Sequence, residues 1–214
     1  AGARAAASHT GAIIKSSDAV FDAVLKQSGA IRAQTLDDLF DLAKIFEYLY
    51  PIKSNRVHVA TGPGGEGVLA TDLCQFNGLT MAALSSETYA KLRAVFPPWD
   101  MAVNPLDIGV CAQFNDVTDV YRVLLTAVSD DPNVDCLVMQ VRVGHFKDLE
   151  QFINLATGVI KRGKPFVLWM TVMLKGTDTI VQKLESHRIP VYPSAERAIK
   201  ALGALHNYGS RWGV

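Results

Sequence analysis

From residue 57 onward, short apolar runs alternate with helical patterns, and this alternation restricts the fold more than any other feature of the sequence. The strand candidates are residues 57–61, 79–82, 134–141, 166–171 and 189–192. The helix candidates are residues 66–77, 86–95, 116–129, 148–162, 177–187 and 194–205. The runs beginning at Val134 and Phe166 are almost continuously apolar, as in central strands that helices cover on both faces. We therefore predict an α/β fold, a flavodoxin-like or Rossmann-like open parallel sheet wrapped by helices, with ligands at the carboxyl ends of its strands.

The chain before residue 57 has a different, mainly helical pattern. One helix is expected to begin after residues 16–18 and to end at Gly29, because glycine favours the left-handed backbone of a helix end. A second helix, capped by Thr35, is expected to end before Pro51. We predict a domain boundary within residues 50–56, so that residues 1–52 form one part and residues 53–214 the other.

Charge and composition exclude several classes of partner. The chain has 21 basic and 21 acidic side chains, so no broad positive field favours nucleic acid or an anionic membrane. The most apolar run, residues 166–174, is shorter than the roughly 20 residues of a membrane span. The three cysteines, an odd number without a CxxC pair, predict buried thiols in a reducing, cytoplasmic compartment, and neither disulfides nor a metal site. The start of the chain lacks the apolar region of a secretory signal, and we expect it to begin within a fold.

A glycine-rich loop, residues 61–67 with the sequence Thr-Gly-Pro-Gly-Gly-Glu-Gly, joins the first predicted strand to a helix. Amides at the start of a helix attract anions, so Gly64, Gly65 and Gly67 are candidate phosphate-binding residues. No lysine follows the glycines, which excludes a P-loop, and no acidic residue ends a second strand in the expected way, which excludes the dinucleotide-binding fingerprint. The alternative is a tight turn that binds nothing, and the residues alone leave it open.

His9 is the second candidate for chemistry. It lies among small residues, and an imidazole nitrogen is a nucleophile that can accept and pass on a phosphoryl group. The hydroxyls of Ser8 and Thr10 and the amide of Gly11 are candidates to donate hydrogen bonds to that phosphate. Taken by its residues alone, a histidine near a chain terminus is more often a solvated residue without a function.

Three further residues are candidates to line the site. Asn104 and Asp107 belong to an Asn-Pro-Leu-Asp turn that we expect to end a strand, and Asp107 either anchors this loop or faces the site. His145 lies in a loop after a central strand, where ligand sites form in open α/β sheets.

Two groups of residues resemble a known family, the ADP-forming acyl-CoA synthetases, which are NDP-forming acid-thiol ligases related to the succinyl-CoA ligases. The first group, residues 1–12, has the sequence Ala-Gly-Ala-Arg-Ala-Ala-Ala-Ser-His-Thr-Gly-Ala and is similar to the family's phosphohistidine segment. The second group follows the family's next domain in residues 67–72, 104–107, 131–135, 163–165 and 189–192. The resemblance covers essentially the whole chain.

The resemblance implies a function for this chain and places the CoA and nucleotide sites mainly outside it. His9 is implied to carry phosphate while an acid is joined to CoA, with ATP cleaved to ADP and phosphate through an acyl phosphate. Residues 1–52 are implied to be a helical remnant of a succinyl-CoA-ligase-like α/β domain, and residues 53–214 a ligase-CoA flavodoxin-like domain. CoA and ATP or ADP with Mg are expected mainly outside this chain, on CoA-binding and ATP-grasp domains or subunits of a homo- or hetero-oligomer. The chain alone is expected to be inactive.

The sequence also departs from the family pattern. Glu66 adds a carboxylate to the glycine loop, and we expect it to repel a phosphate. Residues 170–176 lack the glycine pair that usually follows this strand, which implies a reshaped acid pocket. Two alternatives to a ligase stay open: a non-catalytic acyl-CoA-sensing module, and a lyase-type relative that begins with CoA ligation.

Overall fold

A computed structural model describes residues 18–142, 144, 146–171 and 176–213, and the chain divides into two units, residues 1–34 and 35–214. In the first unit, helix α1 spans Asp18–Ser28 and ends where Gly29 adopts a positive φ of 78°. Arg32 folds back onto this helix, with ion pairs of 3.1 Å to Asp18 and 2.6 Å to Asp22. The predicted first helix and its glycine end are thereby confirmed.

The second unit alternates strands and helices as predicted. In chain order it contains α2 (Leu36–Tyr48), β1 (Arg56–Thr61), α3 (Gly64–Phe76), β2 (Thr80–Met81), α4 (Ser86–Leu92), β3 (Leu106–Asp107), α5 (Ile108–Phe114), α6 (Val117–Asp130), β4 (Cys136–Gln140), α7 (Leu149–Lys161), β5 (Phe166–Trp169), α8 (Thr177–Ser186), β6 (Val191–Tyr192) and α9 (Ala195–Trp212). Side-chain oxygens cap several of these helices; Thr35, for example, accepts a 3.0 Å hydrogen bond from the Asp38 amide at the start of α2.

The described residues form a six-stranded sheet in the order β2-β1-β4-β5-β6, in which every strand pair is parallel. The short strand β3 pairs with the carboxyl end of β1, on the same side as β2. The chain first moves outward from β1 to β2 and then returns to the other side of β1 with β4. This reversal gives the flavodoxin-like order, so the predicted fold class is confirmed.

Strand β4 shows why the central strands are apolar without alternation. Leu137 and Met139 pack on one face of the sheet, in a core shared with α6, α7 and α8. Cys136 and Val138 pack on the other face, in a core shared with α2, α3 and α9. Because helices cover both faces, each residue of the strand is buried.

The structure corrects four details of the prediction. The turn at Asn104 does not end a strand; the strand Leu106–Asp107 follows it, and the short helix α5 comes next. Neither β3 nor α5 was predicted from the sequence. The helix expected over residues 86–95 ends at Leu92 and continues as a 3-10 turn, and α9 runs seven residues beyond its predicted end at residue 205.

Three buried thiols are also part of this core. Cys74, Cys111 and Cys136 are buried and unpaired, as predicted. Burial raises the pKa of Cys74 to about 12 and that of Cys111 to about 11, so both remain protonated at neutral pH.

Within the part of the chain that the structure describes, no helix has the length and apolarity needed to cross a membrane.

Within the second unit, polar contacts join helix α2 to β6 and α9 near the carboxyl end of the chain. The buried carboxylate of Asp41 accepts hydrogen bonds of 2.6 and 2.8 Å from the guanidinium of Arg197. The Asp41 carbonyl accepts a 3.2 Å bond from the hydroxyl of Tyr192, and Lys44 donates to the Val191 carbonyl. The predicted boundary between residues 52 and 53 stays a prediction, but α2 packs with the elements that follow it.

We expect Asp41→Asn to lower the free energy of unfolding by about 2–4 kcal/mol, because it leaves the partly buried Arg197 without its anionic partner. The control is Asp37→Asn, since Asp37 is exposed and lies 3.6 Å from the same guanidinium. Its expected effect is below about 1 kcal/mol. Urea unfolding followed by circular dichroism measures both, and equal losses for the two variants would contradict the assignment.

His58 lies inside β1 and is buried, with Nε2 donating to the Val103 carbonyl at 2.9 Å. Burial lowers the pKa of His58 from 6.5 to about 4, against smaller opposing effects of the Val103 carbonyl and the charge of Asp131. The folded chain therefore keeps this imidazole neutral while the unfolded chain protonates it below about pH 6.5. The resulting stability is present above that pH and is lost as the pH falls toward 4.

We expect the folded chain to lose up to about 3 kcal/mol between pH 7 and pH 4.5 through His58. His58→Gln should lower the stability at pH 7 but remove this part of the pH dependence. His187→Gln, at an exposed histidine beyond α8, is the matched control for the exchange of an imidazole for an amide. Urea unfolding at the two pH values tests this, and an unaltered slope in His58→Gln would refute it.

Candidate functional site

A cleft opens at the carboxyl edge of the sheet, where the strand order reverses between β1 and β4. Ligands of open α/β folds bind at this kind of switch point. The cleft has a volume of about 540 Å3. Its lining residues are Gly62, Pro63, Asp107, Gly109, Val110, Ala112, Gln113 and Arg142.

The glycine loop after β1 forms one wall of the cleft. Gly62 donates its amide to Oε1 of Gln140 at 2.8 Å, which fixes the loop to the end of β4. Helix α3 begins at Gly64 after Pro63, and no side chain of the described residues caps it there. Gly64 and Gly65 are exposed in its first turn. The first turn of α3 therefore lacks a side-chain cap, and the binding of phosphate by these two glycines stays a prediction.

The carboxylate of Glu66 is not among the residues that line the cleft, and the expectation that it would repel a phosphate stays a prediction. Glu66 is half-buried, and its Oε2 accepts hydrogen bonds from Nε2 of Gln140 and from Nε1 of Trp169, the latter at 3.3 Å. Two neutral donors thus hold the carboxylate at the ends of β4 and β5. Its charge is satisfied inside the protein rather than presented to a ligand.

Asp107 anchors its loop and also lines the cleft, and its part in a functional site stays a prediction. One carboxylate oxygen accepts a 3.0 Å hydrogen bond from the Val110 amide and caps α5. The other lies 3.0 Å from the position that a Cβ atom at Gly64 would occupy. This carboxylate consequently stands beside the start of α3, where it competes with any incoming anion.

Asn104 uses its side chain within the sheet. Its Oδ1 accepts from the Val59 amide, and its Nδ2 donates to the carbonyls of Val57 and Ala82, all at 2.9–3.0 Å. The amide therefore occupies the gap between β2 and β3 beside β1. These three bonds give the Asn104 side chain a structural role, and its predicted role in lining the site stays a prediction.

Two glycines allow the walls of the cleft to approach closely. A Cβ atom at Gly109 would lie 2.1 Å from the carbonyl oxygen of Gly62, so the start of α5 touches the glycine loop backbone to backbone. Gly67 is buried, and a Cβ atom there would lie 3.2 Å from the ring of Pro105. Gly67 therefore packs tightly against Pro105, and its predicted contact with phosphate stays a prediction.

The remaining predicted site residues are Ser8, His9, Thr10, Gly11 and His145, which lie outside the described residues. Their roles therefore stay predictions. Arg142, an exposed cation that lines the cleft two residues after β4, was not predicted from the sequence. Its position after a central strand was the available signal. Among the described residues, no cluster of three or more His, Cys, Asp or Glu side chains is arranged to hold a metal ion.

Comparison with known proteins decides the family. Residues 57–212 match the family described as the Ligase-CoA domain, and residues 1–46 match the succinyl-CoA ligase like flavodoxin domain. The chain belongs to the Ligase-CoA domain family. The resemblance drawn from the sequence is thereby confirmed.

Curated relatives of this Ligase-CoA domain chain are ADP-forming ligases. A 4-hydroxybutyrate–CoA ligase of Nitrosopumilus maritimus is 34% identical over 99% of this chain and 29% of its own length. The alpha subunit of an acetate–CoA ligase II of Pyrococcus furiosus is 34% identical over 95% of this chain and 44% of its own length. This chain therefore spans less than half of either relative.

A solved structure shares the fold. The dinucleotide forming acetyl-coenzyme A synthetase 1 of Ca. Korarchaeum cryptofilum superposes with a TM-score of 0.79 at 29% identity, over 97% of this chain and 44% of that one. The same protein has also been solved with phosphate and ADP.

We expect Gly109→Ala to lower the free energy of unfolding by about 1–3 kcal/mol, because its methyl group would overlap the Gly62 carbonyl. Gly65→Ala is the matched control, since no atom lies within 4 Å of a Cβ at Gly65. The control should lose no stability and gain up to about 1 kcal/mol from helix propensity. Urea unfolding compares the two, and equal stability of the variants would contradict the close packing.

Proposed function

We propose that this chain is the phosphoryl-carrying part of an ADP-forming acyl-CoA synthetase, with His9 as the phosphorylated residue. The whole enzyme joins a carboxylic acid to CoA and cleaves ATP to ADP and phosphate. The observation that carries the proposal is the match of 99% of this chain, at 34% identity, to an ADP-forming CoA ligase. Ser8, Thr10 and Gly11 then hold the phosphate on His9 through hydrogen bonds.

The bonds that form and break define the task of each part. A nitrogen of His9 attacks the γ-phosphorus of ATP and ADP leaves; the carboxylate of the acid then takes the phosphoryl group and becomes an acyl phosphate. The thiolate of CoA attacks the acyl carbon, and inorganic phosphate leaves. The cleft beside the glycine loop supports the acyl phosphate part of this sequence, because Arg142 lines it and attracts oxyanions, while Asp107 disfavours an anion held by the start of α3 alone.

The other components belong to the larger assembly. CoA, and the nucleotide with its Mg, are held by CoA-binding and ATP-grasp domains or subunits, consistent with relatives that are more than twice as long as this chain. Mg supplies charge neutralisation to the nucleotide phosphates there. The three buried thiols fit a reducing cytoplasm, which is where we place the assembled oligomer.

The test is phosphorylation of the intact enzyme with ATP labelled at the γ-phosphate. We expect an acid-labile, alkali-stable label on the wild type and its loss in His9→Asn, because the acceptor nitrogen is removed. His187→Gln is the control and should keep the label. A full label on His9→Asn would remove His9 from the mechanism, and an unlabelled wild type would favour a non-catalytic acyl-CoA-sensing module.

A further inference from the structure

We propose that Arg142 binds the oxyanion of the acid substrate, as its free carboxylate and as the acyl phosphate made from it. This inference rests on the proposed function and assigns a residue to it. Arg142 follows the last residue of β4, Gln140, by two positions and so stands at the switch point of the sheet. It lines the cleft together with Gly62 and Pro63 of the glycine loop.

The charge of Arg142 is available to a ligand. Six other arginines of the described residues form ion pairs with carboxylates: Arg32, Arg56, Arg93, Arg122, Arg162 and Arg197. Within the described ranges, which include every aspartate and glutamate of the sequence, no carboxylate lies within 4.0 Å of a nitrogen of Arg142. The carboxylate that shares the cleft, Asp107, is committed to capping α5.

The glycine loop lies directly beside the guanidinium of Arg142. A Cβ atom at Gly62 would lie 3.6 Å from Nε and 3.8 Å from Cζ of Arg142, which is ordinary van der Waals contact. The Gly62 amide is bonded to Gln140, which fixes the loop in this position beside the cation. A planar guanidinium with several N–H groups matches a carboxylate or phosphate with two parallel hydrogen bonds.

The rest of the lining suits the other half of an acid. Pro63, Val110 and Ala112 present apolar surface to the cleft, and an acyl chain gains from contact with such surface. Asp107 stands beside the start of α3 and disfavours an anion placed there alone. Arg142 offsets that charge, so an oxyanion is best accommodated toward the β4 side of the cleft.

The test compares Arg142→Gln and Arg142→Lys in the intact enzyme, with Arg122→Gln as the matched control. Arg122 carries the same charge, lies on the exposed side of α6 and pairs with Asp119. We expect Arg142→Gln to raise the KM for the acid roughly 10- to 100-fold, because a charge-assisted hydrogen bond is lost, with a smaller rise for Arg142→Lys. Added guanidinium ion should lower the KM of Arg142→Gln, which a merely structural role would not predict.

The reverse reaction, from acyl-CoA with phosphate and ADP, separates the two sources of the oxyanion. A higher KM for the acid alone places the carboxylate on Arg142, and a higher KM for both acid and phosphate places the acyl phosphate there; both support the proposal. Unchanged KM for the acid in Arg142→Gln, or equal changes in Arg122→Gln, overturns it. Labelling of His9 from ATP in the absence of acid should persist in Arg142→Gln, because that step does not involve the acid. If the wild type itself takes up no label, the proposed function fails, whatever the result for Arg142.

Discussion

The side-chain amide of Asn104 completes the outer edge of β1, and the site depends on this arrangement. Strand β2 pairs with the first residues of β1, Arg56 and Val57, whereas β3 pairs with its last two, Ala60 and Thr61. Between them the main chain of β1 has no strand partner on that side. Asn104 fills this interval with one acceptor and two donor contacts, as a segment of strand would. Because β3 can therefore begin at Leu106, the chain enters α5 beside the end of β1.

The position of β3 brings the two walls of the cleft together. Asp107 is its last residue and at the same time the cap of α5, so the direction of that helix follows from the strand. Gly109, two residues later, rests on the carbonyl of Gly62 without room for a methyl group. Any shift of β3 along β1 would separate Asp107 and α5 from the glycine loop. A substitution at or near Asn104 that moves β3 would therefore also change the geometry of the cleft.

The sequence predicted the sheet but not the short elements that shape the site. Runs such as residues 134–141 are long enough for their apolar pattern to be recognised, and the strands and helices built from them occur where expected. Strand β3 has two residues and α5 has seven, which is too short for a periodic pattern. Gly29 and Thr35 were recognisable because their signals are local: a left-handed backbone and a side-chain cap. Arg142 carried no local signal, since an exposed arginine is ordinary in composition.

Glu66 shows how contacts distant in the sequence determine where the side chain of a loop residue is bonded. A carboxylate in a glycine loop is expected to oppose anion binding, and the neighbouring residues contain nothing to change that view. Its partners, Gln140 and Trp169, are 74 and 103 residues away along the chain and meet it because β4 and β5 adjoin β1. Gln140 also accepts from the Gly62 amide, so one side chain turns the carboxylate inward and fixes the loop.

The balance of charge in the cleft follows from these contacts. With Glu66 turned inward, Asp107 and Arg142 are the charged residues among those that line it, and they oppose each other in sign. The chain as a whole has equal numbers of basic and acidic side chains, so attraction of an anion depends on local groups rather than on a long-range field. Such a cleft favours a ligand that is anionic at one end and neutral at the other, because its charged end can contact Arg142 while the remainder lies on apolar residues away from Asp107. A carboxylic acid and its acyl phosphate both have this form, whereas a free nucleotide, charged along several phosphates, meets the carboxylate as well.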